Sequence, residues 1–253
     1  VFVLGATGTI GQSVVRALQS RGHDVVCLVR PRHDRTSNMF DGATVRFGEA
    51  TDPASLTRDG FRGEKFDALV SCIASRNGEP KDAWAVDYQA NAHALGVAKS
   101  AGVAHFVLLS AICVQKPRLA FQHAKLAFEQ ELMDSGLDYS IVRPTAFFKS
   151  LSGQIERLRA GKPYLVFGDG RQTACKPISD SDLGAYLAAC VDDPILRNRV
   201  LPIGGPGPAI TPREQGEMLF ALLGREPHFA HVPLVLIDAI IWALSALGAV
   251  YAP

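Results

Sequence analysis

The stretch "VFVLGATGTIG" (residues 1–11) decides the fold. A short apolar run breaks at Gly5, glycines recur at positions 8 and 11, and the chain passes straight into "IGQSVVRALQSRG" (10–22). There Ile10, Val14, Val15 and Leu18 recur as one helical face, and Gly22 closes the helix. The order is strand, glycine turn, helix. One glycine permits the tight turn, one lets the backbone approach a pyrophosphate, and one lets the helix pack on the strand. The helix N-terminus then turns N–H groups and the positive end of its dipole toward the phosphates. In this setting Gly5, Gly8 and Gly11 read as a dinucleotide-binding turn.

Outward from that turn, apolar strand runs alternate with helical patterns. "DVVCLVR" (24–30), "ATVRFGEA" (43–50), "FDALVSCIAS" (66–75), "HFVLLSAI" (105–112) and "DYSIVRPTAFF" (138–148) read as strands. Helical patterns fill about 82–101 and 119–135, and "TDPASL" opens another with a polar cap and a proline. Strands separated by helix-length segments imply right-handed crossovers, and near-continuous apolar strands imply a sheet covered on both faces. The fold class is therefore α/β, a Rossmann-type doubly wound parallel sheet. Residues 1–150 are expected to form the dinucleotide-binding domain, with the sheet completed by later segments. From about 149 the rhythm changes, and "GKPYLVFGDG", "ISDSDLGAYLAACVDD" and "TPREQGEMLFALLGREP" are expected to build a small substrate-side lobe over 151–253.

The chain of 253 residues is 47% hydrophobic, enough for a sizeable core. Its 26 basic and 25 acidic residues nearly balance, which gives no electrostatic case for a nucleic acid or an anionic membrane. The five cysteines are scattered, odd in number and without a C-x-x-C pair, so a reduced interior fits better than a disulfide framework or a metal site. Residue 1 already lies within a strand pattern and the sequence stops after an apolar run, so both natural ends are expected to lie outside it. That run, "VPLVLIDAIIWALSALGAVY" (232–251), is interrupted by Pro233 and Asp238 and is short for a spanning helix. It reads as a buried or interface helix, or as an apolar wall for a substrate, with peripheral membrane contact left open.

The end of the second strand selects the cofactor. An NAD-specific site places a carboxylate there for the ribose hydroxyls. This chain has "VRPRHDR", whose Arg30 and Arg32 suit a 2′-phosphate through charge and paired hydrogen bonds. NADPH is the expected cofactor. Asp52 and the turn Cys72-Ile73-Ala74 end strands on the same edge and are expected to border adenine and ribose, although Asp52 serves equally as a helix cap. Pro144, Thr145 and Phe147 follow the sixth strand on that edge and are expected to flank the nicotinamide.

Together "GATGTIG", "LLSAICVQKP", "FQHAKLAFEQELM", "YSIVRPTAFFKSLSGQ", "GKPYLVFGDG" and "ACKPISDSDL" resemble the NADPH-dependent divinyl chlorophyllide 8-vinyl reductases, an atypical short-chain reductase branch close to NmrA-like and isoflavone-reductase-like proteins. The resemblance implies reduction of the 8-vinyl group of a divinyl (proto)chlorophyllide, a tetrapyrrole pigment, to ethyl in chlorophyll or bacteriochlorophyll synthesis. The scattered cysteines fit a cytoplasmic setting, which in a plant or alga is expected to be plastid stroma or thylakoid surface. Gly5, Thr7, Gly8, Thr9, Ile10 and Gly11 match the family's cofactor turn, and Arg30 its 2′-phosphate site. Ser110 and Lys125 fall where typical short-chain reductases keep a catalytic serine and lysine. Two positions depart from the wider group: Phe121 stands in the slot of the catalytic tyrosine, and Asp87, in "VDYQAN", where many members have asparagine.

The missing phenol has a chemical reading. A carbonyl reductase must protonate a developing alkoxide, the task of that tyrosine. A vinyl group has no such oxygen, and the conjugated macrocycle can spread the charge that forms. Phe121, Lys125, Phe128 and Leu132 recur at helical spacing and share one face. Lys125 is thus expected to hold the nicotinamide ribose, with Phe121 a turn away in a flat pigment slot shared with Phe147 and Phe148. Ser110 either polarises substrate or simply ends its strand. His123 points to the far side of the helix, and Cys113 has no partner motif for nucleophilic work. Two other readings stay open: a non-catalytic NmrA-like protein that senses NADP or associates with quinones, and an isoflavone-reductase-like enzyme.

Overall fold

The computed structural model describes residues 1–31, 40–76 and 79–235, together with Ala239 and Trp242. The chain divides into two compact units, Val1–Thr145 with Ile178–Gly205, and Ala146–Pro177 with Pro206–Pro253.

The first unit is built on seven strands: β1 (Phe2–Leu4), β2 (Val26–Val29), β3 (Thr44–Phe47), β4 (Ala68–Ser71), β5 (His105–Leu109), β6 (Asp138–Pro144) and β8 (Arg199–Ile203). They lie in the order β3-β2-β1-β4-β5-β6-β8, and every pairing is parallel. The doubly wound parallel sheet expected from the sequence is therefore present. Its central strands are buried along their length because helices cover both faces. Phe2, Phe61 and Phe66 meet in an aromatic cluster with ring centroids 4.5–5.3 Å apart, in tilted and edge-on geometries that such rings favour.

Helix α1 (Thr9–Ser20) follows β1, and α8 (Asp180–Asp192) packs against it. Arg21 and His23 clasp Asp192 at 2.6 and 2.8 Å, tying the two helix ends together. Between β4 and β5 the chain runs as α3 (Pro80–Ala83), a π-helical stretch Trp84–Ala90 and α4 (Asn91–Ser100). The side-chain amide of Asn91 donates to the carbonyl of Asp87 inside that wider coil, and Ser71 donates to Asn91 at 2.6 Å. Single π turns of this kind cluster at functional sites. Helix α5 (Ala120–Met133) begins where Gln122 Oε1 accepts from the backbone N–H groups of Arg118 and Leu119 at 2.7 and 2.9 Å. Phe128 then seats the helix on the sheet against Phe106, centroid to centroid 5.6 Å. A short α2 (Pro53–Ser55) lies after β3.

The second unit contains α6 (Phe148–Leu151), α7 (Ile155–Arg159), β7 (Tyr164–Phe167), α9 (Pro212–Leu222) and β9 (Phe229–Val232). β7 and β9 pair in parallel, and Leu158, Tyr164, Val166 and Phe220 form its small core. Thr211 and Glu214 close a reciprocal cap at the start of α9, with Pro212 in the first turn. Most of the apolar run 232–251 lies outside the described residues. Among the described residues no helix is long and apolar enough to cross a membrane.

Candidate active site

The turn after β1 shows why its glycines are required. Gly5 holds φ +76°, the left-handed region that side chains avoid, and a Cβ there would stand 2.6 Å from the backbone of Cys72. A Cβ on Gly11 would meet the carbonyl oxygen of Gly5 at 2.1 Å. Backbone has thus taken the space that side chains would fill. Gly8 caps α1 in extended geometry and donates its own N–H to Gly5 at 3.0 Å. A bare backbone turn feeding a helix N-terminus is what a pyrophosphate needs, so these residues fit a dinucleotide.

A cleft of about 630 Å³ opens at this turn. Its walls carry Gly5, Thr7 and Gly8, the β2 end with Arg30, the β4 end with Cys72, Ile73, Ala74 and Ser75, and the π stretch with Ala85, Val86 and Ala90. The chain enters the sheet at β1 and builds outward on either side, through β2 and through β4. The cleft therefore lies outside the carboxyl ends of the strands at the switch of direction, the general ligand position in such sheets. Thr9, Ile10 and Gly11 form the first turn of α1 below it.

The other residues singled out in the sequence fall in different places. Arg30 is exposed on the cleft wall, while Arg32 lies outside the described residues. Asp52 Oδ1 caps α2, accepting from Ala54 N–H at 2.9 Å, and its neighbours Glu49, Ala50 and Thr51 line the cleft instead. Burial pushes the Cys72 thiol up to about 12, against the opposing pull of the Lys125 charge, so at neutral pH it is an uncharged wall group. Pro144 is buried at the end of β6, and Thr145 donates its N–H to Ile203 at 2.9 Å. Phe147 and the exposed Phe148 belong to the second unit, at the start of α6. Phe121 is half-buried, and His123 is exposed.

Lys125 is held more firmly than its sequence implies. Its Nζ lies 3.0 Å from Asp87 Oδ1, with the lysine side chain 9% exposed and the aspartate fully buried. The Asp87 carboxylate also accepts from the Ser75 hydroxyl at 2.5 Å and, at 3.4 Å, from the Ser75 backbone N–H. Since Ser75 and Cys72 line the cleft, this buried pair backs directly onto its wall. One turn along α5, Glu129 forms a second network: it accepts from Ser110 and is paired with Arg143 of β6. The Ser110 hydroxyl proton is thereby committed to a carboxylate. Sequence reading missed Ser75, Glu129 and Arg143, and had Asp87 only as a departure. A usable signal existed in the spacing of Glu129 four residues after Lys125, on the same face as Phe121.

Known proteins resemble this chain along nearly its whole length. The chain is 53% identical to the chloroplastic divinyl chlorophyllide a 8-vinyl-reductase of rice (Oryza sativa subsp. indica) over 99% of its own length and 65% of the rice protein. It is 49% identical to the Arabidopsis thaliana protein of that name, again over 99% of this chain and 64% of that one. The likeness read from the motifs is thus borne out along nearly the whole sequence, and the chain spans a little under two thirds of these relatives. The NADPH complex of an NADPH-dependent quinone oxidoreductase from Escherichia coli shares the fold, with a TM-score of 0.76 at 20% identity, covering 100% of this chain and 83% of that one. A family model described as NAD(P)H-binding matches residues 5–194, and on that match and this cleft the chain belongs to the NAD(P)H-binding family.

Proposed function

We propose that this chain carries out the NADPH-dependent reduction of the 8-vinyl group of a divinyl chlorophyllide or protochlorophyllide to ethyl. The observation that carries the reading is the 53% identity, over 99% of the chain, to a protein named for that activity. The chemistry of α5 supports it. Reduction of a vinyl group needs a hydride at one carbon and a proton at the other, and a reduced nicotinamide supplies the hydride when bound. No oxygen of the substrate has to be protonated, so Phe121 can stand where a carbonyl reductase needs a phenol. Lys125, buried against Asp87 behind the cleft wall, is assigned the ribose hydroxyls, which positions the dinucleotide. Phe121 is assigned to the flat apolar slot for the macrocycle. Arg30 is assigned the 2′-phosphate, which makes NADPH rather than NADH the working cofactor. The relatives are named as chloroplastic, and a plastid setting is proposed for this chain if its source is a plant or alga.

Purified protein incubated with NADPH and divinyl chlorophyllide tests the reading. A blue shift of the Soret band is expected as conjugation shrinks. NADPH binding with an unchanged pigment spectrum would refute the activity and favour a cofactor-sensing protein.

A further inference from the structure

Asp87 is a buried carboxylate that the proposed chemistry does not use, and it touches Ser75, which lines the cleft, and Lys125, which is buried behind it. It is 1% exposed and sits in the π-helical stretch whose Ala85, Val86 and Ala90 line the cleft. One oxygen meets Lys125 Nζ at 3.0 Å, and the carboxylate accepts the Ser75 hydroxyl at 2.5 Å. An ammonium and a carboxylate buried together hold each other in a defined geometry, because separating them strands a charge in low dielectric. The hydrogen bond from Ser75 has a second consequence. A hydroxyl has one proton, and once that proton is given to Asp87 only lone pairs remain for the cleft side.

We infer that Asp87 is the positioning residue of this site: it fixes the Lys125 ammonium and turns Ser75 Oγ into an obligate acceptor on the cleft wall. The ligand chemistry that matches one fixed cation and one fixed acceptor is a hydroxyl-bearing sugar, the ribose of the bound dinucleotide. A neutral amide at position 87 could satisfy Ser75 or Lys125 only as a neutral partner and would leave the ammonium without a counter-charge. This inference rests on the dinucleotide part of the proposed function and not on the pigment.

The test is NADPH affinity, followed by nucleotide fluorescence on the full chain without pigment. The proteins are the wild type, D87N, K125M, the double variant D87N/K125M and S75A, with thermal unfolding confirming that each is folded. D87N and K125M are each expected to weaken NADPH about tenfold or more, the loss of one charge-assisted interaction. Because D87N already forfeits the positioning of both Lys125 and Ser75, the double variant should bind no more weakly than D87N alone. The double variant removes both charges at once and is expected to fold even if D87N does not, since replacing both members of a buried pair is far milder than removing one. S75A is expected to lose about threefold to tenfold in affinity and, with one hydrogen bond to the buried carboxylate gone, roughly 2–4 °C in melting temperature. Losses in the double variant that multiply beyond D87N, or wild-type affinity in D87N or S75A, would overturn the inference. A wild type that binds no NADPH would instead refute the dinucleotide reading itself.

Discussion

Gly11→Ala isolates the phosphate turn from every other feature of the site. Gly11 has ordinary helical backbone, so the substitution adds no strain in φ, and its whole effect comes from one methyl group. That methyl would stand 2.1 Å from the Gly5 carbonyl oxygen, 2.8 Å from the Gly5 carbonyl carbon and 2.9 Å from the Ala6 Cα. Ordinary contact begins at 3.4 Å, so backbone must move by more than an ångström, and no flexible side chain is there to yield. Overpacking of this kind costs roughly 1–3 kcal/mol. At about 2–4 °C per kcal/mol for a chain of this size, a melting temperature lower by roughly 2–12 °C is expected. The displaced atoms are those that form the turn, so NADPH affinity should fall by more than about tenfold. Gly96→Ala is the matched control: an added Cβ there meets nothing within 4 Å, in the exposed face of α4. Better helix propensity should stabilise it by about 0.5–1 kcal/mol with NADPH affinity unchanged. Differential scanning fluorimetry and a fluorescence titration read both effects. A Gly11→Ala protein that melts and binds like the wild type would refute the assignment of this turn.

Arg30→Ala should weaken NADPH by about tenfold or more while leaving NADH nearly unchanged, in paired titrations; equal losses would remove Arg30 from the 2′-phosphate. Lys125→Ala should abolish most turnover and, by stranding the fully buried Asp87 carboxylate, destabilise the fold by about 3–5 kcal/mol in urea unfolding; wild-type turnover would take Lys125 out of the site. Phe121→Tyr should leave pigment turnover within about threefold, because no alkoxide awaits a phenol; a rate gain beyond about tenfold would contradict that chemistry. His105, 1% exposed, is pushed down to about 4, first by burial and then by Arg197, with Asp138 opposing. Its folded form is neutral where the unfolded chain takes up a proton, so its contribution is complete above pH 6.5 and declines as pH falls toward 4, by roughly 3 kcal/mol. Melting curves between pH 7 and 4 should show that loss, and His105→Gln should flatten it; an unchanged slope in the variant would refute it.

The sheet was legible because each central strand is an apolar run and each crossover helix has a clear period. The glycine turn was legible because its spacing answers a steric demand that few folds make, and Gly5 and Gly11 now show that demand as contacts with backbone. β8 escaped because "RVLPI" begins polar and contains Pro202, which reads as a strand breaker. At the edge of a sheet, pairing only with β6, a proline is tolerated. β9, four residues of "FAHV" in the second unit, carries too little pattern to stand out. Within the site, the helical spacing of Phe121 and Lys125 placed both on α5. It could not place Asp87 against Lys125 or Arg143 against Glu129, because those pairs are made between different elements, and charge patterning along one helix carries no signal of them. Asp52 shows the local ambiguity of a single residue. A carboxylate at a strand end looked equally suited to ribose and to a cap, and the backbone of α2 claimed it.

The most direct test of the central claim is the mass of the pigment after a single turnover with NADPH carrying deuterium at the transferable position. The expected product is heavier by one deuterium and one hydrogen, with both in a new 8-ethyl group and the peripheral carbonyls intact. A product reduced at a carbonyl, or a pigment recovered unchanged from protein that has bound NADPH, would contradict it.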